Sequence, residues 1–199
     1  DTITGPKWAT QNLIINDDKL YVAINNAYDW GNEKGLVGVL DLNTFSYLNE
    51  IDLGLDGINP DNMMKSGDYI YTINNKDWSG MSISKFDIAT NTTTTTNMTS
   101  VSTGCGTSCL RNGNVNYQIS GDTLLYEWDI LTLPSTGISL GLNQNFYDLS
   151  YDKINNLLYA SSTDYSTYGS VNIYDQNNSL AHTFQCGISP GTIVFDIRN

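Results

Sequence analysis

The sequence predicts an all-β chain that repeats one four-stranded unit four times. Short runs of alternating apolar and polar residues lie between turn residues, and no run keeps a helical period. Residues 24–31 return almost unchanged as residues 73–80. An apolar residue followed by Asp closes the third strand of each repeat, at intervals of roughly 45 residues: Asp41, Asp87, Asp129 and Asp175. Four strands in a repeat of this length are typical of the blades of a β-propeller.

The first two predicted blades span residues 7–53 and 58–99. Clusters of Asn, Asp and Gly mark their turns, because these residues favour tight reversals of the chain. We predict the strands of the first blade at 8–15, 20–25, 36–42 and 46–53, and those of the second at 62–65, 69–74, 81–88 and 92–98. The threonine-rich last strand favours an exposed edge, since polar β-branched residues form strands without an apolar surface.

The third and fourth predicted blades span residues 104–141 and 145–186. Their strands are predicted at 107–111, 115–120, 123–131 and 137–140, and at 146–151, 157–162, 170–174 and 180–185. A further strand is predicted at residues 190–197. It follows a Gly-Ile-Ser-Pro turn at 187–190 that repeats the Gly-Ile-Asn-Pro turn at 57–60, where the second blade begins.

The strand at 190–197 would close a blade for which the sequence contains no other strands. Unpaired backbone groups in a strand cost free energy, so we expect the completing strands to exist elsewhere. The repeat pattern favours four blades plus one strand that form the C-terminal part of a seven-bladed ring, with N-terminal blades missing from this chain. A closed four-bladed ring with a spare strand is the alternative.

Composition limits the partners of the chain. Its 199 residues are 40% hydrophobic, and 21 acidic against 9 basic residues give a net charge of −12. A surface of that sign repels phosphate groups and anionic membranes, so we expect no nucleic-acid partner. No apolar run reaches the 18 or so residues that a membrane-spanning helix needs. A polar surface of Asn, Thr, Ser and Tyr favours a protein outside the cytoplasm.

The cysteines are consistent with that location. Cys105 and Cys109 lie four residues apart in a Gly- and Ser-containing loop and are predicted to form a disulfide. Two free thiols are the first alternative. Zinc binding is the second, although a C-x3-C pair has no second pair here and His182 is the single histidine.

Residues for catalysis are sparse. His182 is predicted on an outer strand, away from any nucleophile, and the three glutamates form no evident pair of facing carboxylates. We interpret the four repeated aspartates as turn caps that accept backbone N–H groups. Asp52, Asp56 and Asp61, with nearby asparagines, offer oxygen ligands for calcium, but a solvated acidic turn explains them as well. We therefore expect a non-enzymatic protein without a metal or other cofactor.

Loops that follow the second strands carry the candidate binding residues. Aromatic side chains beside Asn and Asp on one rim can stack on a sugar or contact a peptide. The alternative is that the tryptophans pack between blades. The candidates are Asn26, Tyr28, Asp29, Trp30, Asn75, Asp77, Trp78, Tyr165 and Tyr168.

Three motifs carry a resemblance to a known family: Leu-Tyr-Val-Ala at 20–23, Gly-Leu-Val-Gly-Val-Leu-Asp-Leu at 35–42 and Ser-Pro-Gly-Thr at 189–192. With the turns before each repeat, they resemble YncE-like (YVTN-type) β-propellers, especially surface-layer and lipoprotein forms from Bacteroidetes. The resemblance covers residues 5–197. It implies a secreted or outer-membrane protein that binds or scaffolds protein partners in an envelope assembly. The alternatives are a carbohydrate-binding module and a lactonase- or quinoprotein-like enzyme.

Overall fold

The described part of the chain is all-β. A computed structural model describes residues 10–25, 31, 33–76, 80–98, 107–119 and 122–196. The strands are β1 (Thr10–Asn16), β2 (Lys19–Ile24), β3 (Leu36–Asp41), β4 (Ser46–Asp52), β5 (Pro60–Ser66), β6 (Tyr69–Asn74), β7 (Met81–Asp87), β8 (Thr92–Met98), β9 (Thr107–Arg111), β10 (Asn114–Gln118), β11 (Leu124–Trp128), β12 (Ile138–Asn143), β13 (Asp148–Asp152), β14 (Leu157–Ser162), β15 (Ser170–Tyr174) and β16 (Leu180–Gln185). One 3-10 turn, Leu55–Gly57, precedes β5.

Each set of four strands (β1–β4, β5–β8, β9–β12 and β13–β16) forms one antiparallel sheet, and strands that are neighbours in sequence are neighbours in the sheet. We number these sheets first to fourth, and the predicted four-stranded repeats are thereby confirmed. The chain divides into two compact units, residues 1–105 and 106–199, each of which contains two sheets. Among the described residues, no helix has the length and apolar character needed to cross a membrane.

The core of the first unit lies between the first and second sheets. Side chains of alternating residues in β2 and β3 point to one face, as the period of two in a strand requires. The buried cluster comprises Tyr21, Ala23, Val37, Val39, Ile51, Leu53, Met63, Ile70 and Phe86. Burial of apolar side chains from both sheets holds this pair of sheets together.

The core of the second unit lies between the third and fourth sheets. Its buried cluster comprises Cys109, Leu125, Leu142, Phe146, Leu149, Leu158, Ala160 and Tyr174. The ring of Phe146 meets that of Tyr174 edge-on at 6.0 Å between centroids, a favourable arrangement for two aromatic rings.

The two copies of the repeated turn share the φ of the residue before proline. Asn59 and Ser189, each the residue before proline, have φ of 55°. The chain before each turn is also held alike: the Leu53 amide donates to the Gly35 carbonyl at 2.8 Å, and the Cys186 amide donates to the Gly169 carbonyl at 3.0 Å. The similar sequences of the two turns are thus matched by the same φ before proline and by corresponding backbone hydrogen bonds.

The structure differs from the sequence prediction at residues 190–196, which form no strand. Strands exist only through pairing, and no described strand pairs with this segment. Side chains of the fourth sheet hold it instead. The Ser150 hydroxyl donates to the Ile193 carbonyl at 2.9 Å, and the Tyr159 and Phe195 rings lie 5.1 Å apart. Residue 197 lies outside the described part.

Candidate functional site

The repeated aspartates hold the turns between third and fourth strands. Asp41 accepts the backbone N–H groups of Asn43 and Thr44 at 2.9 and 2.8 Å, and the bonds to Thr44 lower the pKa of its carboxyl. Corresponding backbone contacts are made by Asp87, Asp129 and Asp175. The predicted structural role of these aspartates is confirmed.

A chain of buried polar side chains crosses the second sheet. The Thr72 hydroxyl donates to Asn74 Oδ1 at 2.7 Å, and Asn74 Nδ2 donates to the hydroxyls of Ser82 and Ser84 at 2.8 and 2.9 Å. The Ser84 hydroxyl lies 2.8 Å from that of Thr95. We call these five residues the polar chain.

The polar chain ends on the connection between the first and second sheets. The Ser82 hydroxyl donates to the Asp56 carbonyl, and the Thr95 hydroxyl donates to the Leu53 carbonyl at 2.7 Å. A carbonyl only accepts, so the Thr95 proton is committed to it and Ser84 must donate to Thr95. Each hydroxyl proton is thus used, and the connection is tied to the sheet that follows it.

Polar side chains hold the corresponding connection in the second unit. Gln118 accepts the Phe146 amide at 2.6 Å and donates to the Gln144 carbonyl at 2.8 Å. The Gln144 side-chain oxygen in turn accepts from Asn172 at 3.1 Å and from the Tyr174 hydroxyl at 3.2 Å. These side chains hydrogen-bond to one another and to the backbone, and they hold the connection between the third and fourth sheets.

Exposed tyrosines gather at one end of the fourth sheet. Tyr165 and Tyr168 lie in the loop between β14 and β15 and are 70% and 74% exposed. The ring of Tyr165 meets that of Tyr147, in the connection before β13, at 5.6 Å and an interplanar angle of 90°. Tyr147 is itself partly exposed. We call Tyr147, Tyr165 and Tyr168 the tyrosine surface.

Short-range hydrogen bonds fix the loop that carries this surface. The Tyr165 amide donates to the Thr163 hydroxyl at 2.8 Å, and Tyr165 has a φ of 63°. The amides of Thr167 and Ser166 donate to Asp164 at 2.7 and 2.9 Å. Together with the Thr167 hydroxyl, these donors lower the pKa of Asp164 to about 2, so its carboxylate stays ionised beside the rings.

The predicted binding residues differ in their exposure to solvent, and several lie outside the described residues. Tyr165 and Tyr168 are exposed, as a binding role requires. Asn75 is buried, and its backbone N–H donates to the Asn59 carbonyl at 3.1 Å. The others lie outside the described residues: Asn26, Tyr28, Asp29, Trp30, Asp77 and Trp78.

The three calcium candidates do not form one cluster. Asp56 pairs with Lys76 at 2.8 Å, Asp52 accepts the Gly54 amide at 2.7 Å, and Asp61 is buried beside Asn25. Burial raises the pKa of Asp61, and the hydrogen bond from Asn25 partly offsets that rise. Within the described ranges, no three His, Cys, Asp or Glu side chains are close enough together to hold a metal ion.

The cysteine prediction stays open. Cys109 is a buried thiol whose burial raises its pKa to about 12. Its predicted partner Cys105 lies outside the described residues. Cys186 is a partly buried free thiol, and His182 lies on the exposed outer strand β16, as expected.

Sequence reasoning missed Tyr147. It stands in the connection before β13 and not in a loop after a second strand, where the other candidates were found. Both segments lie at the same end of the fourth sheet, because in an antiparallel sheet the first strand begins where the second strand ends. The alternating strand directions, which the sequence predicts, could therefore have placed Tyr147 beside the loop that carries Tyr165.

No protein-family model matches the chain, and no curated protein matches it. Among solved structures, it is similar to a chain of "Kuenenia stuttgartiensis Hydrazine Synthase", with a TM-score of 0.61 and 12% identity, over 85% of this chain and 46% of that one. It is also similar to a chain of "Crystal Structure of Mitotic Checkpoint Complex", with a TM-score of 0.57 and 16% identity, over 85% of this chain and 48% of that one.

These likenesses show the fold. The four-stranded antiparallel sheets are blades of a β-propeller. The chain spans a little less than half of the length of the solved chains it matches. Identities this low carry no activity from one protein to another.

Proposed function

We propose that this protein is a non-catalytic β-propeller that binds a protein partner and acts as a scaffold in an assembly. The observation that carries the proposal is the tyrosine surface. Tyr165 and Tyr168 expose large rings to solvent at the end of a rigid sheet. Tyrosine is enriched in protein interfaces because it buries much apolar area and keeps a hydroxyl for hydrogen bonding.

The loop is prepared for binding before any partner arrives. Its hydrogen bonds to Thr163 and Asp164 already order the backbone around Tyr165. Ordering a flexible loop on binding costs free energy, so a loop that is already ordered leaves more of the contact energy for affinity. A rigid aromatic surface of this kind favours recognition of a folded partner.

The aspartates have structural roles in the fold, and this favours a binding protein over an enzyme. Asp41, Asp87 and Asp129 each hold a turn, and their backbone contacts keep them ionised. A general acid near neutral pH needs the opposite shift of its pKa. Asp148 has such a shift, to about 6, but its carboxylate accepts the backbone N–H of Ile193 and is engaged within the fold.

The comparisons and the sequence resemblance support protein partners. One similar solved chain belongs to a structure described as a complex. The resemblance to YncE-like propellers favours an envelope assembly of a Bacteroidetes cell, and we propose a secreted or outer-membrane location on that basis. The net charge of −12 favours a partner with a neutral or basic surface.

A pair of variants tests the tyrosine surface. We expect the double variant Tyr165→Ser, Tyr168→Ser to lower the affinity for the partner that co-purifies with the natural protein by at least about tenfold, which corresponds to 1.4 kcal/mol. Ile154→Ser changes an exposed apolar residue at the other end of the fourth sheet and is the matched control. Surface plasmon resonance with the purified partner measures both. Equal affinities would refute the proposal.

Carbohydrate binding is the second candidate, and the same rings favour it. The faces of exposed tyrosines can stack on the apolar face of a sugar, and Asp164 is a permanently charged acceptor beside them. Titration with envelope oligosaccharides, followed by tyrosine fluorescence, separates the candidates. A saturable change that the tyrosine double variant abolishes, without loss of the protein partner, would favour the sugar.

A further inference from the structure

We propose that the corner between the Tyr147 and Tyr165 rings receives a basic side chain of the protein partner, a lysine ammonium or an arginine guanidinium. This inference rests on the proposed function, because it names the group that the tyrosine surface recognises. It goes further, since it requires the aromatic faces of the rings and nearby negative charge, whereas the proposed function requires only that the surface is buried by a partner.

The two rings present two aromatic faces to one point in space. Their planes are perpendicular, and their centroids lie 5.6 Å apart. Tyr147 is 40% exposed, and Tyr165 is more exposed still. A cation binds over the face of a tyrosine within about 6 Å of the ring centroid, because the face carries the negative part of the ring quadrupole. A single cation in this corner can therefore contact both faces.

Contacts with the turn at residues 187–190 hold both sides of the corner. The chain just after this turn packs against Tyr147, since a Cβ on Gly191 would lie 3.2 Å from Cε1 of that ring. The hydroxyls of Thr163 and Ser189 lie 3.1 Å apart and connect the loop of Tyr165 to the same turn. The rings thus need little further ordering when a cation binds between them.

The backbone of Tyr165 is strained in the position that forms the corner. Its φ of 63° is rare for a bulky residue and costs free energy. Conformations of this kind persist only where surrounding contacts impose them, and they are frequent at binding sites. Here the hydrogen bond from the Tyr165 amide to the Thr163 hydroxyl supports the strained residue, whose ring meets Tyr147.

The charges of the second unit favour a cation at this corner. Asp164 directly precedes Tyr165, and its hydrogen bonds keep it ionised. The basic residues of this unit within the described ranges are Arg111 and Lys153. Arg111 contacts the turn after β15, and Lys153 lies in the turn after β13, both at the opposite end of the fourth sheet from the β14–β15 loop. The net charge of −12 acts in the same direction at longer range.

The first test removes the charge and keeps the loop. In Asp164→Asn, Oδ1 still accepts the amides of Ser166 and Thr167. We expect its Kd for the co-purifying partner to rise at least about threefold at about 50 mM salt, and by less at about 500 mM, where charges are screened. Asp129→Asn is the matched control in the turn after β11, because Asp129 Oδ1 also accepts two backbone N–H groups. Equal affinities of the two variants would overturn the proposal.

The second test removes the aromatic face and keeps an apolar side chain. We expect Tyr165→Leu to raise the Kd about tenfold, and Tyr165→Phe, which retains the face, to change it less than about threefold. If Tyr165→Leu binds normally while the serine double variant of Tyr165 and Tyr168 does not, the basic side chain is excluded and the proposed function stands. Normal binding by the serine double variant would overturn both.

Discussion

Asn74 is the central residue of the polar chain, and its replacement tests whether that chain stabilises the fold. It is fully buried and makes three hydrogen bonds, to Thr72, Ser82 and Ser84. Asn74→Ala removes all three and leaves their buried partners without that contact. Loss of a buried partner costs more than the net gain from forming a hydrogen bond, because the remaining group stays desolvated.

The expected loss follows from those three bonds. At roughly 1 kcal/mol for each, the free energy of unfolding falls by about 2–4 kcal/mol. With an m-value of about 2 kcal/mol/M, the midpoint of urea unfolding moves down by roughly 1–2 M. Because the partners share one network, the additional variant Ser84→Ala costs less in the Asn74→Ala background than in the wild type.

Urea unfolding followed by circular dichroism measures these differences. Asn49→Ala, at an exposed position of β4, is the matched control, and we expect a change within about 0.5 kcal/mol. A loss below about 1 kcal/mol for Asn74→Ala would refute the reasoning, and so would fully additive effects of Asn74→Ala and Ser84→Ala.

Three further predictions concern the backbone, pH and thiols. A Cβ on Gly35 would overlap the Gly57 carbonyl oxygen in the 3-10 turn, so Gly35→Ala should lower stability by about 1–3 kcal/mol, whereas Gly187→Ala, with open space, should not. Burial raises the pKa of Asp148 to about 6, above its unfolded value, so the contribution of Asp148 to stability is greatest below about pH 4 and is lost as the pH rises through 6. Asp148→Asn should therefore add about 1 kcal/mol at pH 7.5, after allowance for partial exposure, and nothing at pH 4, by urea unfolding. In reducing buffer, iodoacetamide should label Cys186 and spare Cys109 until the protein unfolds, as mass spectrometry of the peptides will show.

The sequence by itself determined the strands of the four sheets, their order and their turns. Alternation along β2 and β3 and the aspartate in each turn are local signals, since they depend on residues within a few positions of one another. Asp41 and Asp87, for example, have the backbone contacts that their sequence positions predicted. Such local signals are the same in any fold that contains this kind of four-stranded sheet.

Only the tertiary structure decided which side chains meet. Asn75 was expected on a binding rim and is buried, whereas Tyr147 was not expected there and contacts Tyr165. The lack of strand pairing at residues 190–196 likewise depends on which neighbour is present and not on the segment's own sequence. Contacts between residues far apart in the chain are set by how sheets and connections pack, and neither periodicity nor turn composition encodes that packing.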